Sequence, residues 1–114
     1  MKTRILFLFL ISLFVLSSCT KETVSCQITS PREGSYFTQN AFIDVIVEAS
    51  TTKGSIIQVQ LMIDNESFKS VIDTPYTFVI PEYTFEPGLH YITAIAYNTN
   101  RVQETSSVLI NITE

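Results

Sequence analysis

The chain has 114 residues, a formal net charge of −4 and two cysteines, and 46% of its residues are hydrophobic against 16% charged. This length accommodates one small domain with a single hydrophobic core. The acidic balance argues against a nucleic-acid partner, because binding to a phosphate backbone requires a basic surface.

Residues 1–18 have the features of a secretory signal. Lys2 and Arg4 form a basic head, residues 5–16 are apolar except for Ser12, and two serines follow. This apolar run is shorter than the roughly 20 residues needed to span a bilayer. We therefore predict that residues 1–18 are removed, which leaves five basic and eleven acidic residues and a net charge of −6. That balance argues against side-chain contact with anionic lipid.

The sequence LSSC at residues 16–19 resembles the lipobox of bacterial lipoproteins. The resemblance implies that Cys19 receives a diacylglyceryl group, that the chain is cleaved before it, and that residues 19–23 form a lipidated tether to the membrane. Thr20 implies sorting to the outer membrane, with the periplasmic and the exterior side both open. The alternative is ordinary secretion with a Cys19–Cys26 disulfide, but a bridge closing so short a loop would constrain little.

From residue 24 onward, apolar and polar residues alternate in short runs separated by turn residues, and no helical period is present. Such alternation is typical of half-buried β-strands. Isolated strands are not stable, so we predict an all-β domain over residues 24–114 in which two sheets pack face to face. Seven strands are predicted, at residues 24–29, 41–49, 56–63, 67–72, 76–80, 89–97 and 106–113.

The alternation also predicts which side chains fill the core. In residues 56–63 the inward set begins at Ile57, and Asp64-Asn65 then suits a tight hairpin turn. Cys26 falls on the apolar face of the first strand, which favours a buried thiol over a reactive one. The predicted core comprises Ile43, Val45, Val47, Val59, Leu61, Ile63, Phe78, Ile92, Ala94, Ala96, Val108, Ile110 and Ile112.

Four segments follow one another in an order that points to a family: ITSPREGSYF at 28–37, IIQVQLMIDN at 56–65, DTPYTF at 73–78 and EPGLHYITAIAYN at 86–98. Together they resemble the bacterial immunoglobulin-like domain of exported proteins. The resemblance covers roughly residues 26–113 and implies a seven-strand, two-sheet immunoglobulin-like β-sandwich. Asn65 stands where that family usually has glycine, and Asn98 where it often has aspartate. The second departure weakens the case for a calcium site near that loop.

His90 is the only histidine of the chain. By the resemblance it occupies the slot of the tyrosine corner, where its ring would hydrogen-bond the backbone of the turn. The alternative is a catalytic or metal-ligating histidine. No second histidine, nucleophile elbow or phosphate-binding glycine loop accompanies it. We therefore predict no enzymatic activity, no metal site and no cofactor.

The remaining functional feature is a sheet face. In an immunoglobulin-like arrangement the third, sixth and seventh strands share one sheet, whose solvent side predicts a binding face of Gln58, Gln60, Met62, Tyr91, Ile95 and Tyr97. Tyrosine among amide and aliphatic side chains is typical of recognition surfaces, but exposed aromatics also stabilise sheets by cross-strand pairing.

Three functions are compatible with this face and a lipid anchor. The first is an adhesive or docking module that contacts another envelope protein. The second is a carbohydrate-binding accessory module, in which Tyr91 and Tyr97 would stack on the sugar rings of a glycan. The third is a purely structural envelope protein, in which the sheet face only seals against itself or a neighbouring copy.

Overall fold

A computed structural model describes residues 21–114 of the chain. The predicted signal at residues 1–18, Cys19 and the start of the predicted tether lie outside the described residues. The described part is all β, as predicted, and has one strand more than the seven expected. The strands are β1 (Val24–Ser30), β2 (Ser35–Thr38), β3 (Ile43–Thr51), β4 (Ile56–Ile63), β5 (Glu66–Val71), β6 (Tyr76–Ile80), β7 (Gly88–Asn98) and β8 (Gln103–Thr113).

The strands form two sheets that face each other. One has three strands in the order β1-β3-β6, and the other has five in the order β2-β8-β7-β4-β5. All neighbours pair antiparallel except β2, which runs parallel to β8. The additional strand is β2, whose four residues are too few to show an alternating pattern. The predicted two-sheet sandwich is confirmed.

The core lies between the sheets and is filled by alternate residues of every long strand. All predicted core side chains are buried except Ile63, which is partly buried at the rim and packs against the others. The structure adds Phe85, from the loop between β6 and β7, together with residues of β1 and β6. These additional buried side chains are Val24, Ile28, Tyr76, Ile80 and Phe85.

Ile57 departs from the predicted inward set. The pairing of β4 with β7 shifts register between Ile56, opposite Asn98, and Gln58, opposite Tyr97. A β-bulge leaves its extra residue unpaired in the ladder and changes the direction of nearby side chains. Ile57 is consequently 44% exposed, and Ile56 packs against the core in its place.

The β4–β5 turn forms as predicted. Asp64 and Asn65 have φ angles of 49° and 68°, the combination that a two-residue type I′ hairpin requires. Asparagine and aspartate tolerate this left-handed conformation better than other non-glycine residues. The turn lies beside the start of β7, because Asp64 N–H donates to the carbonyl oxygen of Tyr91 at 2.9 Å. Residues 21–114 contain no helix of the length and apolar character that crossing a membrane requires.

Candidate functional site

The six residues predicted to form a binding face share one side of the five-stranded sheet. Alternate residues of β4 and β7 project outward, and the register sets Gln58 opposite Tyr97 and Gln60 opposite Ile95. Five of the six are partly buried, and only the sixth, Tyr91, is more than half exposed, at 56%.

The polar groups in the middle of this face are used within the sheet. The side-chain amides of Gln58 and Gln60 donate to the hydroxyls of Ser70 and Ser67 on the neighbouring strand, at 3.0 and 2.9 Å. The hydroxyl of Tyr97 donates to Oε1 of Gln60 at 3.4 Å. These groups therefore stabilise the cross-strand contacts of the sheet before any ligand is considered.

Tyr91 and Tyr97 lie far apart on this face. Both belong to β7, six residues from one another, and a strand rises about 3.4 Å per residue, so their backbones are roughly 20 Å apart. A single sugar ring cannot stack on both. The two tyrosines therefore belong to separate surfaces rather than to one compact site.

Tyr91 instead lies among apolar side chains of three adjacent strands. On this face, Asn111 of β8 lies between Tyr36 of β2 and Leu89 of β7 and pairs with both. Two residues along β7, Tyr91 pairs with Leu109 of β8. Tyr36, Leu89 and Tyr91 are 71%, 64% and 56% exposed. We call Tyr36, Leu89, Tyr91 and Leu109 the Tyr91 patch. Leu109 is partly buried, and its backbone N–H donates to Oε1 of Glu33 at 2.6 Å.

Of the four residues of the Tyr91 patch, the predicted binding face included only Tyr91. Leu89 shares the parity of Tyr91 on β7, so the alternation already pointed to it as outward-facing. Tyr36 gave no such signal, because the four residues of β2 become a strand only by pairing with β8.

His90 lies near one end of the sandwich, where the β4–β5 turn and the β6–β7 loop meet the start of β7. Its Nε2 is 2.6 Å from the carbonyl oxygen of Glu86, and its Nδ1 is 2.5 Å from Oδ2 of Asp64. The other oxygen of Asp64 accepts the backbone N–H of Tyr91 at 2.8 Å, and Phe85 packs against the imidazole with ring centroids 4.7 Å apart. The predicted hydrogen bond to the turn backbone is confirmed, and the contact with Asp64 is new.

Both ring nitrogens of His90 face oxygen acceptors. A neutral imidazole carries only one N–H, so the protonated ring alone donates to both. Partial burial lowers the pKa of His90, but the hydrogen bonds to Asp64 and to the Glu86 carbonyl, with the charges of both carboxylates, outweigh it and raise the pKa above 6.5. In its protonated form His90 therefore links the β4–β5 turn to the β6–β7 loop through both ring nitrogens.

A shallow groove of about 370 Å³ lies beside His90. Its walls combine apolar side chains with carboxylates, and it opens to solvent. His90 is not placed to act as a base there, because both ring nitrogens already have partners. Within residues 21–114, no group of three or more His, Cys, Asp or Glu side chains is arranged to hold a metal ion. The groove is lined by Ile63, Asp64, Glu66, Ser67, Phe68, Thr84, Phe85, Glu86 and His90.

The Cys26 thiol behaves as a small apolar side chain. It is partly buried against the core, and its Sγ lies 3.7 Å from the carbonyl oxygen of Ala94. Burial raises the pKa of the Cys26 thiol, so it is protonated and a weak nucleophile at neutral pH. Cys26 thus lies on the apolar face as predicted, but it is partly rather than fully buried.

Asn98 is the only buried polar residue of the described chain. Its Oδ1 accepts the backbone N–H groups of Asn100 and Val102 at 3.0 and 2.9 Å. Its Nδ2 donates to Oε1 of Glu22 at 2.6 Å and to Oγ1 of Thr51 at 3.1 Å. The asparagine thus organises the β7–β8 turn and connects it to the N-terminal segment.

Comparison with known proteins agrees with this geometry. In solved structures, the fold is similar to the fibronectin(III)-like modules of Clostridium thermocellum CbhA, with a TM-score of 0.72 and 24% identity over 82% of this chain and 48% of that chain. It is also similar to the endo-β-1,4-mannanase from Thermotoga petrophila, with a TM-score of 0.65 and 10% identity over 84% of this chain and 20% of that chain. The chain therefore spans about half of the first protein and a fifth of the second.

No curated protein matches the chain significantly in sequence. The sequence profile of the bacterial Ig domain matches residues 25–94, which is more than half of the chain. This match covers β1 to β6 and most of β7, including the β4–β5 turn and His90. The chain belongs to the bacterial Ig domain family.

Proposed function

We propose that this chain is a lipid-anchored, non-catalytic Ig-like module that docks another protein of the bacterial cell envelope through the Tyr91 patch. The observation that carries the proposal is the patch itself, an apolar surface on three adjacent strands of one sheet. Its members come from β2, β7 and β8, and three of the four are more than half exposed.

The chemistry of the patch supports a protein partner. Tyrosine and leucine bury large apolar areas with few rotatable bonds, and tyrosine keeps a hydroxyl for hydrogen bonding. Aromatic residues are enriched at protein interfaces, where a few of them carry most of the binding free energy. Asn111 lies between Tyr36 and Leu89 on the same face and adds an amide that can hydrogen-bond a partner.

The lipid anchor is supported by the sequence alone. The lipobox resemblance of residues 16–19 directly follows the apolar run of the signal, and several acyl chains on Cys19 would hold the chain on a membrane almost permanently. Thr20 favours the outer membrane. Fatty-acid labelling of cells should mark the protein, and Cys19→Ala should abolish the label. An unlabelled natural protein would contradict the anchor.

A non-catalytic role is supported by the state of the only histidine. Both nitrogens of His90 are held by hydrogen bonds, and the Cys26 thiol is partly buried with a raised pKa. Ig-like and fibronectin(III)-like modules are also typically accessory domains rather than catalytic ones.

Cross-linking in intact cells tests the docking surface. The protein carrying Leu89→Ser and Tyr91→Ser should lose its cross-linked partner. Tyr83→Ala should keep it, because Tyr83 is similarly exposed, at 68%, but lies outside the patch in the loop between β6 and β7. Loss of the partner only in the first variant supports docking, provided that its thermal unfolding is unchanged. A first variant that keeps every partner contradicts it. Cross-links to copies of this chain alone would favour the structural role.

Carbohydrate binding is the second candidate. It is favoured by the likeness to a chain described as an endo-β-1,4-mannanase and by the two exposed tyrosines of the Tyr91 patch, which lie on strands separated only by β8. A glycan array separates the candidates. Binding that requires both Tyr36 and Tyr91 would favour a glycan, whereas an empty array together with a cross-linked protein would favour docking.

A further inference from the structure

The N-terminal segment is held against one end of the sandwich. Oε1 of Glu22 accepts the side-chain amides of Asn98 at 2.6 Å and Asn100 at 3.0 Å. In addition, the backbone N–H of Thr23 donates to Oγ1 of Thr52 at 2.9 Å, and the N–H of Thr52 donates to the Thr23 carbonyl at 3.0 Å. The chain therefore reaches β1 from the side of the β3–β4 and β7–β8 turns.

These two turns are packed against each other. The backbone N–H of Thr99 donates to the carbonyl oxygen of Ser55 at 3.0 Å, and Gly54 approaches Thr99 so closely that a Cβ atom would not fit between them. Asn98 holds the second turn from inside. We call residues 51–55 and 98–102 the tether end, because they form the platform on which residues 22 and 23 lie.

The anchor on Cys19 would have little reach from this platform. Only two residues separate Cys19 from Glu22, and an extended chain spans at most about 3.6 Å per residue, or roughly 11 Å over this interval. From this we infer that the tether end faces the membrane and that Lys21, Lys53 and Arg101 contact its lipid phosphates. The inference rests on the proposed lipid anchor and adds to it the orientation of the domain.

The distribution of charge supports this orientation. Lys21, Lys53 and Arg101 are three of the five basic residues that remain after residues 1–18 are removed, and all three are exposed around the tether end. None of them forms an ion pair, since the only salt bridge within residues 21–114 joins His90 to Asp64. The carboxylates on the neighbouring elements are Glu22, which is engaged by the two asparagine amides, Glu48 on β3, Asp73 between β5 and β6, and Glu104 on β8.

The opposite end of the sandwich is acidic. We call residues 64–66 and 81–87 the acidic end, which carries Asp64, Glu66, Glu82 and Glu86, with His90 beside it. The net charge of −6 argued against side-chain contact with anionic lipid. However, the net charge does not show that basic and acidic residues are concentrated at opposite ends of the domain. Anionic headgroups would repel the acidic end and attract the tether end, and both forces act over about a Debye length.

This orientation also determines where the Tyr91 patch is presented. Tyr91 lies seven residues from Asn98 along β7, or roughly 24 Å at the rise of a strand. The patch is therefore carried away from the headgroups, in a position where a partner protein can reach it. A domain oriented the other way would press Leu89 and Tyr91 toward the bilayer surface.

Paramagnetic broadening measures the orientation directly. The mature chain, lipidated on Cys19, is inserted into nanodiscs of phosphatidylcholine and phosphatidylglycerol that contain a gadolinium-chelated lipid headgroup. We expect amide signals of the tether end to lose more intensity than those of the acidic end. Equal losses at both ends, or larger losses at the acidic end, would overturn the inference.

Charge variants test the contact with lipid phosphates. Lys53→Gln with Arg101→Gln should reduce the difference in broadening between the two ends by more than half. Salt at 1 M should act in the same direction, because it shortens the Debye length to about 3 Å. Arg32→Gln with Lys69→Gln is the matched control, which removes the same charge elsewhere and should leave the difference unchanged. If the first pair leaves it unchanged as well, the phosphate contact is wrong.

Chemical lipidation separates this inference from the anchor on which it rests. In a Cys26→Ala chain, a maleimide lipid can be coupled to Cys19 whether or not cells acylate that residue. A chain that cells leave unlabelled but that orients when coupled would contradict the anchor and support the geometry. A chain that cells acylate but that shows no preferred orientation would contradict the geometry and leave the anchor intact.

Discussion

The imidazole of His90 and the carboxylate of Asp64 join the start of β7 to the β4–β5 turn, 26 residues away in the chain, with Nδ1 2.5 Å from Oδ2. Asp64 also accepts the backbone N–H of Tyr91, so one side chain bonds two consecutive residues of β7. The left-handed conformation of Asp64 in the β4–β5 turn directs its carboxylate toward β7. The hairpin turn and the histidine corner are therefore one structural unit.

The stability of the domain should fall as pH rises above about 6.5. The folded state binds the His90 proton more tightly than the unfolded chain, since its pKa is raised from 6.5. This stabilisation is complete below 6.5 and is lost as pH passes through the raised pKa. Urea unfolding across this range measures the effect, and His90→Asn should remove the part of the slope that belongs to this residue. A slope identical in both proteins would contradict the prediction.

Asp64→Asn should lower the pKa of His90 and destabilise the domain by about 1 kcal/mol, because it removes the charge but not the shape of the partner. The substitution keeps an oxygen for the Tyr91 N–H and a residue suited to positive φ. The pKa follows from NMR titration of the imidazole. Asp44→Asn, on the outer face of β3, is the matched control and should leave the pKa of His90 unchanged. An unaltered pKa in Asp64→Asn would show that the ion pair does not form.

Asn98→Ala should destabilise the domain by about 1–3 kcal/mol. The substitution leaves the backbone N–H groups of Asn100 and Val102 without their acceptor, and it releases Glu22. A buried donor left unsatisfied costs about 1–3 kcal/mol, and these two hydrogen bonds are partly buried. Asn100→Ala is the control, because Asn100 is exposed and contributes only one of the two amides that bind Glu22. Equal midpoints of chemical denaturation for the two variants would be inconsistent with this role of Asn98.

Gly54→Ala should be more destabilising than Gly34→Ala. Both glycines have positive φ, 69° and 79°, which costs an L-residue roughly 1–2 kcal/mol. Only at Gly54 would the new Cβ also meet a neighbour, since Oγ1 of Thr99 would lie 2.1 Å away. Thr99→Ala combined with Gly54→Ala should remove the extra loss of stability. Thermal unfolding of the natural chain, the two single variants and the double variant measures this. Equal effects at the two glycines would mean that the Thr99 side chain moves aside freely.

Ala94→Phe should cost about 1–3 kcal/mol through overpacking. Ala94 is fully buried on β7 opposite Leu61, and the space between the sheets is already filled by larger side chains. Thr105→Phe adds a ring on the outer face of β8, where Thr105 is exposed and pairs with Ile95, and should be close to neutral. Calorimetry of both variants checks the contrast. A stable Ala94→Phe protein would imply an unfilled space beside Ala94.

The alternation of apolar and polar residues determined the strands and most of the core. Because side chains in a strand alternate between its faces, the pattern identifies inward residues such as Leu61 and Ala94 without knowledge of their partners. The β4–β5 turn was predictable for a similar reason, since Asp64 and Asn65 tolerate positive φ locally. The corner role of His90 came from the family resemblance, and its contact with Asp64 did not.

Only the tertiary structure decided the features that depend on pairing between distant segments. The bulge that turns Ile57 outward arises from the register of β4 against β7, and β2 is a strand because β8 lies beside it. Tyr36 joins Leu89 and Tyr91 through the same pairing. Glu22 reaches Asn98 across 76 residues of sequence. Local periodicity carries no information on such contacts, because they are set by which strand edges meet when the two sheets close around the core.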